Sequence, residues 1–380
     1  MTAGKGRGDR VLSGVVLVLL LLGSVTVFSS STSMSAAWFG SSTRMIVNHL
    51  TKIMLGLVLL VAFSQLDYRV ILRHRLTAPL VGVAVLLLAM TLIPENPLAV
   101  TRKGATRWLT VGFMVIQPAE IAKLALVTYI ASILAQGEGR VRDYKRGFVP
   151  IVTVLGIFSV LLMMQPNFGN VLTLTLITIT MLFLGGARMT HLMSSGAAAM
   201  PVLGVIALQK GHVVRRFTAF LNPDADPMGA SFQLHQSLVA LGSGGMFGRG
   251  IGASRQSDFF LPDCHTDFVF AVLGEELGLL GTVAIVALFG LLVWRGLVIA
   301  RGARDLFGRY LAVGITAMIG IVAFLNVAVV VGLTPTTGLP LPFLSYGGSA
   351  MLVNLAGVGI LQSIAARSSG PSGRVRTAIR

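Results

Sequence analysis

Ten apolar runs, most of them separated by short polar connections, repeat along the chain near positions 11–27, 53–63, 79–92, 116–134, 149–164, 172–184, 192–208, 268–293, 310–331 and 350–364. A helix that crosses a hydrocarbon layer needs about 20 apolar residues, so ten such helices consume nearly the whole length. The pattern predicts an all-α integral membrane protein of about ten transmembrane helices, a single polytopic domain over 1–380 with no room for a large soluble one. The stretch 211–266, between the seventh and eighth runs, is the exception: long, polar and rich in glycine. The first run follows Lys5, Arg7 and Arg10 as a signal peptide would. It is longer than the roughly 7 to 15 apolar residues of a secretory core, and the expectation is a retained first helix.

Composition strengthens that picture. Of 380 residues 54% are hydrophobic and 12% charged, far from the balance of a soluble domain. A lone cysteine, Cys264, excludes a disulfide framework, a Cys-rich zinc site and an iron–sulfur cluster. The net charge of +16 would suggest nucleic-acid binding in a soluble protein, but here the basic residues are scattered in short loops. With the N-terminus inside, the inner loops and tails hold 19 of the 30 Lys and Arg: three before the first run, then Arg69, Arg73, Arg75, Arg140, Arg142, Lys145, Arg146, Arg188, Arg295, Arg301, Arg304, Arg309, Arg367, Arg374, Arg376 and Arg380. That bias puts both termini in the cytoplasm, in contact with bilayer and not nucleic acid. No internal repeat is visible, which weighs against a transporter built from inverted halves.

The chemistry is expected on the outer face. The loop 211–266 carries Phe217, Phe220, Phe232, Leu238, Phe247, Phe259, Phe260 and Leu261, enough to pack on the membrane surface, beside Asp224, Asp226, Asp258, Asp263, Arg215, Arg216, Arg249 and Arg255. Asp267 stands where this loop enters the eighth run, preceded by His265 and Thr266. A carboxylate at that depth is either an anchor paired with a loop arginine or a general base tuned by partial desolvation. Glu275 and Glu276 follow roughly 12 to 14 Å further along a helix. In the fourth run Glu120 and Lys123 share a helix face, as a structural pair or as a lysine holding an anionic substrate group. Trp108, next to Arg107, reads first as an interfacial belt residue. The run LGSGGMFGRGIG from Leu241 lacks the Lys-Ser/Thr of a phosphate loop; it supplies tight turns, or amides and Arg249 for a diphosphate. The Pro- and Gly-rich stretch PTTGLPLPFLSYGGS from Pro335 must be buried in protein or line a cavity. With no His/Cys cluster, His265 is read as a hydrogen-bonding group rather than a zinc ligand.

These residues also carry a resemblance. TRWLTVGFMVIQPAEIAKLAL, QPNFG, RRFTAFLNPDADPMGASFQLHQSLVALGSGG, FLPDCHTDFVFAVLGEELGLLG and GLPLPFLSYGGSAMLVNLAGVGIL resemble the SEDS family of polytopic FtsW, RodA and SpoVE proteins, from the first run to the last. The resemblance implies a ten-helix peptidoglycan glycosyltransferase that polymerises lipid II at the outer face of the bacterial cytoplasmic membrane. It would release undecaprenyl diphosphate and work with a class B penicillin-binding protein and other divisome proteins. It places the family's essential acid on Asp267, its motif tryptophan on Trp108, and its Glu and Lys on Glu120 and Lys123. Asn167 stands where the family usually has Asp, and Ser231 where it usually has Gly. The connection GRGIGASRQS and the ending GLTPTTGLPLPFLSYGGSAM are closer to the FtsW division branch than to the RodA elongation branch.

On this reading Asp267 is the base, and positive charge must stabilise the departing diphosphate. Arg215, Arg216, Arg249, Lys123 and a carboxylate-bound divalent cation such as Mg²⁺ are the candidates, with His265 in the same neighbourhood and no organic cofactor expected. The rival readings are a flippase for a lipid-linked precursor, with Glu120 and Lys123 along its path, and an inactive scaffold that recruits a transpeptidase. Alternating access would distribute polar groups through the full depth, whereas these charges gather on the outer side.

Overall fold

The computed structural model describes residues 8–102, 104–112, 114–137, 139–194, 231–256 and 264–368, with 196, 204, 216, 218–222 and 261. The predicted seventh run, 192–208, and the loop positions Arg215, Phe217, Asp224, Asp226, Asp258, Phe259, Phe260 and Asp263 lie wholly or mostly outside the described residues.

The helices follow the apolar runs. In order they are α1 (Arg10–Phe39), α2 (Arg44–Gln65), the single turn α3 (Val70–Arg73), α4 (Thr77–Met90), α5 (Pro118–Leu134), α6 (Val149–Met164), α7 (Phe168–Leu184), α8 (Phe232–Gly244), α9 (Val269–Gly302), α10 (Leu306–Val330) and α11 (Gly348–Ser368). Six of the segments, in α1, α2, α6 with the turn before it, α9, α10 and α11, are long and apolar enough to cross a membrane, and α4 and α7 are shorter apolar helices. α10 and α11 are the most enclosed spans and α2 the least. α2 and α11 approach closely because small residues face the partner helix: a Cβ on Gly56 would lie 2.3 Å from Leu355, and one on Gly359 would lie 2.5 Å from the Leu60 carbonyl. α1 belongs to this bundle, with Leu12, Val15, Val16, Leu19 and Leu20 buried.

Polar contacts sort the two ends. At the basic end Asp9, the N-cap of α1, pairs with Arg295 of α9, and Gln362 of α11 donates to the Asp9 carbonyl at 2.9 Å. Nearby, Asp305 caps α10, accepting from Gly308 N–H at 2.8 Å, from the Tyr68 hydroxyl at 2.6 Å and from Arg69 Nε at 2.9 Å. Burial pushes the Asp305 carboxyl up, but the hydrogen bonds from Tyr68, Gly308 and Arg69 outweigh it and hold the group below its ordinary value. Burial, reinforced by the adjacent carboxylate, pushes the Tyr68 hydroxyl up.

The opposite end departs from an all-α expectation in one place. Between α4 and α5 the chain forms an antiparallel sheet, β1 (Ala99–Arg102), β2 (Ala105–Val111) and β3 (Met114–Ile116), in the order β1-β2-β3. Thr and Val residues suit a pleated backbone, and Gly104 (φ 72°) and Gly112 (φ 60°) supply the left-handed turns that reverse it. The predicted fourth helix therefore starts at Pro118 rather than Ile116, because Ile116 closes β3. Within 211–266 the chain also folds the amphipathic helix α8, which packs on α9.

Candidate active site

Asp267 sits one residue before the N-cap of α9, at the end opposite the basic loops. It lines a cavity of about 150 Å³ with Arg216, Gln233, Phe268, Asn326, Val329, Thr336, Thr337, Gly338 and Leu339. Separated pieces of chain meet there: Arg216, the start of α8, the junction of loop and α9, the end of α10 with Asn326 and Val329, and the loop after it. Gly338 has φ 70°, and a Cβ there would stand 3.6 Å from Asp267 Oδ2, so the left-handed turn brings bare backbone up to the carboxylate. The Pro- and Gly-rich stretch from Pro335 thus lines a cavity, one of the two roles its composition allows.

The cation side is built from two arginines. Arg216 donates from Nη1 to the Thr336 carbonyl at 3.0 Å. Arg107, on β2, donates from Nε to the Gln165 carbonyl at 3.0 Å and from Nη2 to the Pro166 carbonyl. The Gln165 and Pro166 carbonyls are neutral, so they orient the Arg107 guanidinium without cancelling its charge. Burial first, then repulsion from Arg216, lowers the Arg107 guanidinium from its ordinary value, and attraction to Asp267 works the other way. Arg107, Arg216 and Asp267 therefore share one electrostatic neighbourhood. Arg107 was legible only as the flank of Trp108; the signal that could have singled it out is the alternation of β2.

The remaining expected residues lie elsewhere. Trp108 is half-buried on β2, paired across the sheet with Val100, and it does not line the cavity. Glu120 and Lys123 form an ion pair at 2.7 Å within α5, each side chain 3% exposed, away from the cavity lining. His265 is buried with its ring 5.8 Å from that of Tyr346, and its carbonyl accepts from Tyr346 N–H at 2.9 Å. Arg215 lies outside the described residues. Asn167 is buried at the N-cap of α7, its Oδ1 accepting from Asn170 at 2.9 Å.

The glycine-rich run does cradle an anion, and that anion belongs to the chain itself. Glu275 accepts from the Ser254 hydroxyl at 2.7 Å, from the amides of Arg255 and Gln256 at 3.2 Å each, and from Arg249 Nη1 at 3.2 Å. Glu276 accepts from the Gly252 amide at 3.0 Å and from Ser29 of α1. Glu275 and Glu276 do lie two turns along α9, but the loop folds over them, and the helix breaks at once at Gly278 (φ 68°, ψ −167°). Arg249 is thereby committed to Glu275 and to the Ser243 carbonyl.

Among the described residues no group of three His, Cys, Asp or Glu side chains gathers to hold a metal, and Asp267 is the one carboxylate lining the cavity.

A bundle of apolar spans with an acid and two arginines gathered near one end defines a multi-pass membrane protein. The profile of the cell cycle protein family of FtsW, RodA and SpoVE matches residues 9–370, and the chain belongs to that family. It is 42% identical over 358 residues to a Trichlorobacter lovleyi protein named probable peptidoglycan glycosyltransferase FtsW, covering 94% of this chain and 93% of the other. It is 37% identical to stage V sporulation protein E of Bacillus subtilis, covering 96% and 98%. Among solved structures it resembles a chain of a peptidoglycan synthase complex that coordinates polymerization and crosslinking, at TM-score 0.76 and 28% identity over 95% and 98% of the two chains. It also resembles the rod shape determining protein RodA of Thermus thermophilus, at TM-score 0.66 and 28% identity over 93% and 96%.

Proposed function

We propose that this chain is a peptidoglycan glycosyltransferase of the division branch, polymerising lipid II at the outer face of the cytoplasmic membrane beside a class B penicillin-binding protein. The FtsW name of relatives about 40% identical over nearly the full chain supports the branch. The likeness to a chain of a peptidoglycan synthase complex supports a transpeptidase partner. The excess of Lys and Arg at the end opposite Asp267 supports the orientation, with the site on the outer surface.

The observation that carries the reading is a single carboxylate in a cavity wall, with Arg216 in the same wall and Arg107 close enough to feel both. Asp267 accepts the proton of an acceptor sugar hydroxyl as that oxygen bonds to the anomeric carbon of the growing chain. The bond from that carbon to the diphosphate breaks on the opposite side, and its electron pair leaves on the phosphoryl oxygen, so the centre inverts. Arg107 and Arg216 hold the charge that develops on the leaving diphosphate.

The test is polymerisation of fluorescent lipid II by the full chain with its transpeptidase in proteoliposomes, the products resolved by gel. Asp267→Asn keeps the shape and removes the base, and it should slow polymerisation by about 10²- to 10⁴-fold. A folded Asp267→Asn protein that polymerises at the unaltered rate overturns the assignment.

A further inference from the structure

The structure shows an unusual use of one side chain, Asn326, near the C-terminal end of the enclosed span α10. It is 1% exposed and lines the cavity that holds Asp267. Its Nδ2 donates at 2.7 Å to the main-chain carbonyl of Asp267 and at 2.8 Å to that of Leu339. With two carbonyl oxygens facing that atom, only the nitrogen can stand there, so the orientation of the amide is fixed by its partners.

The first amide of α9 that turns back, Ala271 N–H, goes to the carbonyl of Phe268 at 2.9 Å rather than to that of Asp267. Leu339 lies in the irregular stretch between α10 and α11. One carboxamide thus ties the backbone beneath the carboxylate to the backbone of the loop whose Gly338 approaches Oδ2. Its own Oδ1 is buried without a donor, a desolvation cost that packing alone gives no reason to carry.

We propose that Asn326 is the positioning residue of the glycosyl transfer, fixing the depth and direction of the Asp267 carboxylate by clamping its main chain to Leu339. This rests on Asp267 being the base. A base held loosely is in productive geometry less often, and misplacement on the scale of 1 Å costs about 10²-fold in rate. The other nine residues that line the cavity are unchanged by a substitution at Asn326. The loss therefore belongs in kcat and not in KM.

A graded series in the full chain with its transpeptidase, assayed on fluorescent lipid II, tests this. Asn326→Leu removes both donors and should lower kcat about 100-fold with KM for lipid II within twofold. Asn326→Ser keeps one donor and should fall between, about 10-fold down, and it carries the test if the leucine protein does not fold. A flat series in folded protein, or a rise in KM at unchanged kcat, overturns the proposal. Asp267→Asn, run alongside, separates the two readings. If it abolishes polymerisation while the Asn326 series is flat, the clamp alone falls; if it polymerises at the unaltered rate, the base assignment falls and the clamp with it.

Discussion

The ion pair of Glu120 and Lys123 allows a sharp test of what a charge at membrane depth is for. The two groups are 2.7 Å apart and 3% exposed, three residues apart on α5. At an effective dielectric near 20 their attraction is worth about 6 kcal/mol, while withdrawing each ion from water costs several. The pair as a whole is therefore close to neutral, but either partner alone is not. Glu120→Gln or Lys123→Met should each destabilise the protein by about 3–5 kcal/mol, and the double variant Glu120→Leu with Lys123→Met should recover most of that. Melting in detergent, followed by loss of the monodisperse peak in size-exclusion chromatography, should show the singles down by roughly 5 to 15 °C and the double near the unaltered protein. Polymerisation by the double variant should persist, because neither residue lines the Asp267 cavity. Singles that melt normally while KM for lipid II rises would refute the structural reading and return Lys123 to the role of holding an anionic substrate group.

Two further outcomes follow from the geometry at the two ends. Gly248 and Gly252 have nearly equal φ of 79° and 81°, but a Cβ on Gly248 would stand 2.1 Å from the Glu276 carbonyl, whereas one on Gly252 meets nothing within 4 Å. Both alanine variants bear the left-handed cost of about 1–2 kcal/mol, and only Gly248→Ala adds about 1–3 for the overlap, so its melting temperature should be clearly the lower of the two. At the basic end Tyr68→Phe removes a 2.6 Å hydrogen bond to a partly exposed carboxylate, worth about 1 kcal/mol after solvent screening. Because Asp305 is held below its ordinary 3.8, its stabilising contribution is present above that value and disappears as pH falls through the folded one. The gap in melting temperature between the unaltered and Tyr68→Phe proteins should therefore be full at neutral pH and shrink on acidification below 3.8.

How far the sequence exposes this structure depends on whether a feature is local. The spans are local, since hydrocarbon demands length and apolarity from each segment alone, and the predicted runs at 149–164 and 310–331 coincide with α6 and α10 to within a few residues. The sheet at 99–116 was also locally written, in Gly104 and Gly112 between Thr- and Val-containing runs, but an apolarity count passes over it. Asp267 could be singled out because a carboxylate at a loop–span junction is costly wherever it occurs. Its surroundings could not: Arg107, Asn326 and Gly338 come from three elements scattered over more than half the chain, and nothing in their own neighbourhoods marks them as companions.

The same distinction explains the glycine-rich run. Composition alone cannot tell a loop that receives a ligand from one that receives its own protein, because backbone amides serve either anion equally well. Here the loop closes on Glu275 and Glu276, and Gly278 bends α9 just beyond them, where a Cβ would lie 2.3 Å from Gly248 N. Loop and kink fit only each other. The consequence is mechanical: Ser29 of α1, the loop and the N-terminal turns of α9 are tied through two adjacent carboxylates, so the short segment of α9 that starts beside Asp267 is anchored at its far end. With Asn326 fixing the near end at the Asp267 carbonyl, the carboxylate is held from both sides by contacts that do not themselves touch it. On the proposed reading, that is the condition under which one acid in a small cavity can act as a base with a defined direction.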